Sequence, residues 1–535
     1  MRKKSKWAAV VLAILVTLSG CGEDTSSQPL NVIDDNYRNY YEIFVGSFYD
    51  SNGDGMGDLP GVIEKLDYIN DGDDKTDTDL GFNGIWLMPV MPSDTYHKYD
   101  VKDYYSIDEA YGTMEDMEKL IEECHKRGIN IIIDMVFNHT STSHPWFKEA
   151  SDYLRALPAG TEPDVAECPY VEYYNFARDK DGVKTWHKVG NSEWYYECVF
   201  WDQMPDLNLG SEAVRKEIED ITAFWLDKGV DGFRLDAAKE YYSGQPDKNV
   251  EVLSWYKDYV KSVDKDAYIV AEVWENSGLI AQYYASGIPS LFNFPMSQYN
   301  GKIVETTKGI KSSSGKNFTE VLESMDSKYR AQNPDYIDAP FISNHDTSRV
   351  GAQLNYNEDQ MKYAAGLLLT EGGSPFVYYG EEIGMASSGD KDENKRLSMY
   401  WSDTETEGIT DGPAGADKIE QKLAPVDEQR KDENSIYNYY KKALRIRNTY
   451  PEIARGTIHA VTGITQENVS AMTKTWEKET IGIIYNSSSE EQEVSLKDME
   501  MEKMSICNYL TVDGSEITAS NEEIKMPAYS IVFLK

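Results

Sequence analysis

Between residue 37 and about 455, short apolar runs alternate with stretches whose hydrophobic residues recur every three or four positions. This βα rhythm predicts parallel strands separated by amphipathic helices. Eight runs read as strands: 41–48, 83–88, 130–137, 230–236, 268–273, 290–294, 341–343 and 376–379. Before the fourth of them, Val214, Ile218, Ile221 and Trp225 form one helical stripe, capped by Ser211 and stopped at Gly229. A second stripe, Met114, Met117, Leu120 and Ile121, opens with Thr113-x-x-Asp116 and closes at Gly128. Cys124 falls on its apolar face and reads as a buried thiol. Eight such units close naturally into a (β/α)8 TIM barrel, an α/β fold.

Two segments depart from the rhythm. Residues 138–204 are too long for a βα loop and rich in Tyr, Trp, Pro and Cys, which predicts a small inserted domain after the third strand. After 456 the helical period disappears, and runs such as 469–475, 480–485 and 528–534 predict a C-terminal antiparallel β-sandwich over 456–535. The barrel is therefore expected in two parts, 37–137 and 205–455.

At the amino terminus Arg2, Lys3, Lys4 and Lys6 precede an apolar run, 7–18, too short to span a bilayer comfortably. Residues 1–20 read as an export signal. Leu18-Ser19-Gly20-Cys21 resembles a bacterial lipoprotein box, which implies cleavage before Cys21, a diacylglycerol on its thiol and a polar tether over 21–36. The protein is then expected on the extracellular face of a bacterial membrane, held by lipid alone; export without a lipid is the alternative.

Composition narrows the partners. Forty per cent hydrophobic and 27% charged residues, with 38 Gly and 19 Pro, describe a soluble globular chain with a large core. A net charge of −39 repels phosphate backbones, so nucleic acid is excluded as a partner and an uncharged ligand fits. The five cysteines show no metal-type spacing, which argues against zinc, while a Cys168–Cys198 disulfide stays open because sequence does not supply the distance.

In a barrel of this kind, functional groups gather where strands end, so polar residues closing apolar runs are the ones to inspect. Asp236, Glu272 and Asp346 each occupy that position. Arg234, two residues before Asp236, shares its strand face and can keep that carboxylate ionised. Glu272 lies beside Trp274 on an apolar strand, where desolvation raises a carboxyl toward the range of a general acid. One ionised and one protonated carboxyl are the equipment of a glycosidase.

Asp-Met-Val-Phe-Asn-His (134–139), Gly-Phe-Arg-Leu-Asp-Ala-Ala-Lys (232–239), Ala-Glu-Val-Trp (271–274) and Asn-His-Asp (344–346) resemble, in order, the four signature regions of glycoside hydrolase family 13, the α-amylase family. The resemblance implies Asp236 as nucleophile, Glu272 as acid/base and Asp346 as a third carboxylate that holds and distorts the sugar. It further implies sugar contacts from His97, Tyr99, His139, Arg234 and His345, with Lys239 reaching the unit beyond the cleavage point. Arg349 and the 396–401 stretch are expected along the rim. Met204-Pro-Asp-Leu-Asn208 resembles the group intermediate between oligo-1,6-glucosidases and neopullulanases.

The stretch Asp50-Ser-Asn52-Gly-Asp54-Gly-Met56-Gly-Asp58 presents oxygen donors at alternate positions, a pattern suited to a hard cation. Gly61 stands where an EF-hand has its bidentate Glu, so this is not an EF-hand; it resembles the structural calcium loop after the first strand of many family 13 enzymes. Asp50, Asn52, Asp54 and Asp58 would ligate through side chains and Met56 through its carbonyl. A second cation using Asn138 and Asp206 stays open, since Glu240 stands where many calcium-dependent relatives have His. The expectation is an endo-acting, monomeric α-amylase acting on starch, maltodextrins and related α-glucans. An exo-acting α-glucosidase or a neopullulanase-like enzyme on the same acids is the alternative, and a silent glycan-binding lipoprotein the remoter one.

Overall fold

The computed structural model describes residues 35–309, 315–387, 389–497, 500–520 and 523–535. The export signal, Cys21 and most of the tether lie outside them. Among the described residues no helix is long and apolar enough to cross a membrane.

The first strands are β1 (Tyr40–Ile43), β2 (Gly84–Leu87) and β3 (Asn130–Met135). The segment that follows carries the helix Pro145–Ala156 and the short strands β4 (Phe176–Ala177), β5 (Trp186–Lys188) and β6 (Tyr195–Glu197). These strands form a sheet of their own in the order β4-β6-β5. An antiparallel bridge between His139 and Asp206 joins the two ends of this segment at the barrel. The barrel resumes with β7 (Gly232–Leu235), β8 (Tyr268–Ala271), β9 (Ser290–Leu291) and β10 (Phe376–Tyr378).

Seven strands pair in parallel in the order β10-β1-β2-β3-β7-β8-β9 and curl into a barrel. The run expected as an eighth strand, 341–343, is reduced to parallel bridges: Ala339 pairs with Phe292 on one side and Phe341 with Phe376 on the other. Pro340 has no amide hydrogen, so a continuous ladder is interrupted there while the ring still closes.

Strand alternation sorts the barrel interior into layers. Tyr40 stacks between Tyr268 and Phe376, with centroids at 5.3 and 4.7 Å, and Trp86, Ile132, Val270 and Phe292 continue the same buried cluster. Two residues further along their strands, Glu42, Asp134 and Arg234 replace the apolar side chains, so the layer nearest the strand ends is ionic. Gly232 is required where β7 meets β8, because a Cβ there would lie 2.0 Å from the Tyr268 carbonyl oxygen.

The helices follow their sequence signals. Met114–Lys126 is opened by a Thr113/Asp116 capping box and buries Met117, Leu120, Ile121 and Cys124. Glu212–Asp227 is capped by Ser211, which accepts from the Val214 N–H, and buries Val214, Ile218, Ile221 and Trp225. Cys124, Cys168, Cys198 and Cys507 are free thiols, so Cys168 and Cys198 are not joined.

The remaining strands are β11 (Thr457–Ala460), β12 (Val469–Trp476), β13 (Glu479–Asn486), β14 (Gln492–Ser495), β15 (Ile506–Leu510), β16 (Thr518–Ser520), β17 (Glu523–Met526) and β18 (Ser530–Leu534). They make two antiparallel sheets, β11-β12-β13-β18-β15 and β14-β17-β16. Val469, Ile484, Val494, Ile524 and Val532 lie in the core of this unit, while Met472, Ile481, Ile483 and Phe533 belong to the core shared with the barrel.

Candidate active site

Arg234, on β7, is the hub of the ionic layer and is only 1% exposed. Its Nη1 donates to Asp134 Oδ1 at 2.8 Å and to Asp236 Oδ1 at 2.7 Å, and its Nη2 donates to Glu272 Oε2. Its guanidinium also lies over the Trp86 ring, 5.1 Å from the centroid. Burial opposes the charge, but Asp134, Tyr99, Glu272 and Asp236 together hold it firmly protonated. One cation thus brings Asp236, from the end of β7, and Glu272, from the end of β8, onto a single planar fork.

Ala237 turns the chain out of β7 at φ +48°, a conformation rare for a residue with a Cβ, and its N–H faces Glu272 Oε2 at 3.4 Å. Burial pushes the Glu272 carboxyl up to about 7, Arg234 opposes that rise and the charges of Asp236 and Asp346 add to it. Near neutral pH, Glu272 therefore holds a proton that it can give away.

Asp346 follows His345 on the loop after the bridged segment. His345 is fully buried and joins three elements: Nδ1 lies 2.6 Å from Glu42 Oε1, and Nε2 lies 2.8 Å from the Tyr99 hydroxyl and 3.1 Å from Asp346 Oδ2. Burial alone would lower its pKa, but Asp346 and Glu42 lift it to about 9, so it is an imidazolium at neutral pH. Although burial pushes Asp346 up, His345 and Arg396 hold its carboxyl well below the usual range. Arg396 Nη2 reaches Asp346 Oδ1 at 3.0 Å. Two of the three acids consequently differ in state: Glu272 is the proton holder and Asp346 a fixed anion.

Tyr99 stacks on His345 (5.5 Å, 16°) and donates its hydroxyl to Asp134 Oδ2 at 3.0 Å. Tyr99 and His97 flank Lys98, whose φ of +67° is held by a 2.7 Å ion pair to Asp108. His97 Nδ1 sits 3.1 Å from Thr95 Oγ1 and accepts from the Tyr99 N–H. His139 is buried, packs edge-on against Phe200 at 5.5 Å, and its Nε2 finds no hydrogen-bond partner among the described residues. A buried ring nitrogen with no partner suits a hydroxyl brought by a ligand. Lys239 lies on the Glu272 side, 3.1 Å from Glu275 Oε1 and 3.3 Å from the Trp274 carbonyl oxygen. Trp274 is 41% exposed and stacks on Phe294 at 4.8 Å.

A family model for the α-amylase catalytic domain matches residues 42–456. The chain belongs to the α-amylase family of glycoside hydrolases. It is 40% identical over 457 residues to Alpha-amylase 3 of Dictyoglomus thermophilum, covering 84% of this chain and 85% of that protein. An oligo-1,6-glucosidase of Parageobacillus thermoglucosidasius is 30% identical over 495 residues, with 78% and 84% covered. The solved structure of Eubacterium rectale Amy13B superposes with a TM-score of 0.90 at 44% identity, covering 96% of this chain and 98% of that one.

Within this α-amylase-family site one expected rim residue is misplaced. Arg349 is not on the rim: it is 1% exposed, donates to the Lys395 and Tyr379 carbonyl oxygens and packs on the Tyr378 and Tyr379 rings at 4.3 and 4.7 Å. The Ser387 hydroxyl accepts from its N–H at 3.1 Å, and the side chain is drawn inward by carbonyls that burial leaves in need of donors. Arg396 does reach the site, through Asp346, and its Nη1 also contacts Asp392 and the Tyr96 hydroxyl.

Sequence reasoning gave no role to Asp134 or Glu42. Burial pushes Asp134 up to about 7 against the pull of Arg234. A signal for both existed: each is a carboxyl inside an otherwise apolar strand, and such a group requires a buried partner.

The oxygen-rich loop after β1 is curled by its own side chains. Asp50 accepts from the N–H groups of Asn52, Gly53 and Gly55, Asn52 from that of Asp54, and Asp54 from that of Met56. Asn52 Nδ2 closes on Asp58 Oδ2 at 3.3 Å, and Asp58 also caps the helix Leu59–Glu64. Among the described residues no group of three or more His, Cys, Asp or Glu side chains forms a ready-made metal cage. The donors gathered here are hard oxygens, the type calcium takes, and they include an amide and a main-chain carbonyl besides the carboxylates. Asn138 Nδ2 lies 3.3 Å from Asp206 Oδ1 where the inserted segment rejoins the barrel.

Proposed function

We propose that this protein is an endo-acting, retaining α-amylase that hydrolyses internal α-1,4-glucosidic bonds of starch and maltodextrins. The observation that carries the reading is the single guanidinium of Arg234 holding Asp236 and Glu272 together, with Asp346 fixed as an anion by His345 and Arg396. Two carboxyls on one fork suit the short separation, about 5 to 5.5 Å, of a retaining glycosidase.

In this reading Glu272 gives its proton to the departing glycosidic oxygen while Asp236 attacks the anomeric carbon. The bond to the leaving sugar breaks and a glycosyl ester forms on Asp236. Water then attacks the same carbon, Glu272 takes its proton, and the ester bond returns to the Asp236 carboxylate. Asp346, His345 and His139 hold the hydroxyls of the sugar being distorted, Tyr99 stacks on it with His97 beside it, and Lys239 meets the unit on the leaving side.

Endo action is tested with malto-oligosaccharides blocked at the non-reducing end. Cleavage into shorter blocked products is the expected outcome, whereas complete resistance would favour an exo-acting enzyme, the reading suggested by the oligo-1,6-glucosidase relative.

The loop Asp50, Asn52, Asp54, Met56 and Asp58 would hold a structural calcium ion, which when bound supplies charge neutralisation and crosslinks the chain after β1. We also propose that Cys21 carries a diacylglycerol and places the enzyme on the outer face of a bacterial membrane. The test is detergent-phase partition of the expressed full chain: wild type enters the detergent phase and Cys21→Ser stays in the aqueous phase.

A further inference from the structure

Glu42 is a carboxylate in a strand that offers it no solvent. β1 sets it in register with Trp86 of β2 and Tyr378 of β10, both buried, and Glu42 itself is 1% exposed. A charge in such a place is costly unless it is paired. Among the described residues the cation that meets it is His345, whose Nδ1 lies 2.6 Å from Oε1. The main-chain N–H of His345 points at the same oxygen from 3.4 Å.

The opposite ring nitrogen faces the reacting acids. Nε2 lies 3.1 Å from Asp346 Oδ2 and 2.8 Å from the Tyr99 hydroxyl, and Tyr99 directs its one hydrogen to Asp134 at 3.0 Å. Neither neighbour has a hydrogen to give Nε2, so Nε2 must donate. Nδ1 must donate as well, because a carboxylate oxygen only accepts. A neutral imidazole carries one N–H and would leave one of the two carboxylates against a lone pair; the imidazolium satisfies both ends. Trp86 packs edge-on to the ring at 5.6 Å and Tyr99 stacks on it at 5.5 Å, which fixes its plane.

The other charges nearby act on the ring less directly. Asp134 and Glu272 interact with its charge without bonding to it, and the cations Arg234 and Arg396 enter the cluster through Asp134 and Asp346. Tyr378 faces Glu42 from β10. The carboxylates that touch the ring nitrogens are therefore Asp346, whose side chain is 34% exposed and open to an incoming sugar, and Glu42, which no sugar can reach.

We propose that Glu42 is a positioning residue of the hydrolytic reaction: its buried carboxylate keeps His345 doubly protonated, and through that ring it sets how firmly Asp346 and the reacting sugar are held. The inference rests on the reading above in which Asp346 and His345 hold that sugar.

The test uses Glu42→Gln in the full chain, which keeps an acceptor oxygen and removes the charge. The substrate is α-maltosyl fluoride, whose leaving group needs little protonation, so the alkaline limb of kcat/KM reports His345 rather than Glu272. His345 is lifted to about 9 in the wild type, and its charge is present below that value and lost above it. Without Glu42 the limb should move down toward the ordinary imidazole value of about 6.5. The ratio of variant to wild-type kcat/KM is then expected to fall about tenfold between pH 6 and pH 8, the factor that a limb displaced to about pH 7 produces. A ratio that does not change with pH would overturn the proposal, including a loss that is uniform across pH, which would make Glu42 merely structural.

A second measurement needs neither the variant nor turnover. Ring ¹⁵N shifts of the histidines, of which the chain has seven, read the state of His345 in the wild type at pH 8, with His345→Asn identifying its resonances. Two protonated ring nitrogens are expected; a neutral ring would overturn the proposal even if Glu42→Gln does not fold. An imidazolium in these spectra combined with no alkaline limb on the fluoride would instead overturn the sugar-holding reading on which the proposal rests.

Discussion

Replacing Glu272 by Gln isolates the proton it carries. The amide is nearly isosteric, and Arg234 keeps Asp134 at 2.8 Å and Asp236 at 2.7 Å, so the hub retains two carboxyl partners and the fold is expected to survive. What is lost is general acid catalysis, worth about 10²–10⁴-fold, or ~3–5 kcal/mol of activation free energy. The wild-type carboxyl is pushed up to about 7, and the reactive form is the protonated one. Activity that depends on it is therefore full below that value and lost as pH rises through it, with kcat/KM falling about tenfold per unit on the alkaline side.

The assay pairs maltopentaose with α-maltosyl fluoride at several pH values. Fluoride departs with little protonation, so in Glu272→Gln its release should be far less impaired than cleavage of the natural bond. The natural-substrate profile should also lose its alkaline limb. Equal losses on both substrates would refute the role of Glu272 as acid, and so would a variant within a few-fold of wild type on maltopentaose.

Three further outcomes are expected. Arg349→Ala should cost about 3 kcal/mol of stability in denaturant titrations, because it strips donors from buried carbonyls, while leaving KM for maltodextrin unchanged; a raised KM at full stability would return Arg349 to the substrate rim. Glu371 is fully buried with neither carboxyl oxygen hydrogen-bonded among the described residues, and burial raises its pKa well above the ordinary value. The folded protein keeps that proton while the unfolded chain loses it above about pH 4.3, so stability falls as pH rises from there toward the folded pKa; Glu371→Gln should remove this slope, and unfolding curves at pH 5 and pH 8 that shift equally would contradict it. Chelator should lower the melting temperature of the wild type and not that of Asp50→Ala, with terbium luminescence as a direct readout of the loop; identical chelator responses would remove the proposed calcium ion.

The apolar periodicity was enough to show seven of the eight expected barrel strands, the helices Met114–Lys126 and Glu212–Asp227 with their caps, the interruption after β3 and the change to antiparallel pairing after 456, because these depend on neighbours within one or two turns of chain. It also put Asp236, Glu272 and Asp346 at strand ends. Local pattern does not carry partners: Glu42 meets His345 across 303 residues, and Arg396 reaches Asp346 from a loop 50 residues on. Arg349 shows the same limit in reverse, since an arginine near a rim motif and an arginine serving buried carbonyls look alike until the neighbouring loops are folded around it. The sequence by itself determined which residues alternate and which are charged. Only the closed barrel decided which charges share one desolvated space: burial there raises Glu272, while the His345 and Arg396 cations, brought to Asp346 over distances no local pattern encodes, outweigh burial and lower Asp346.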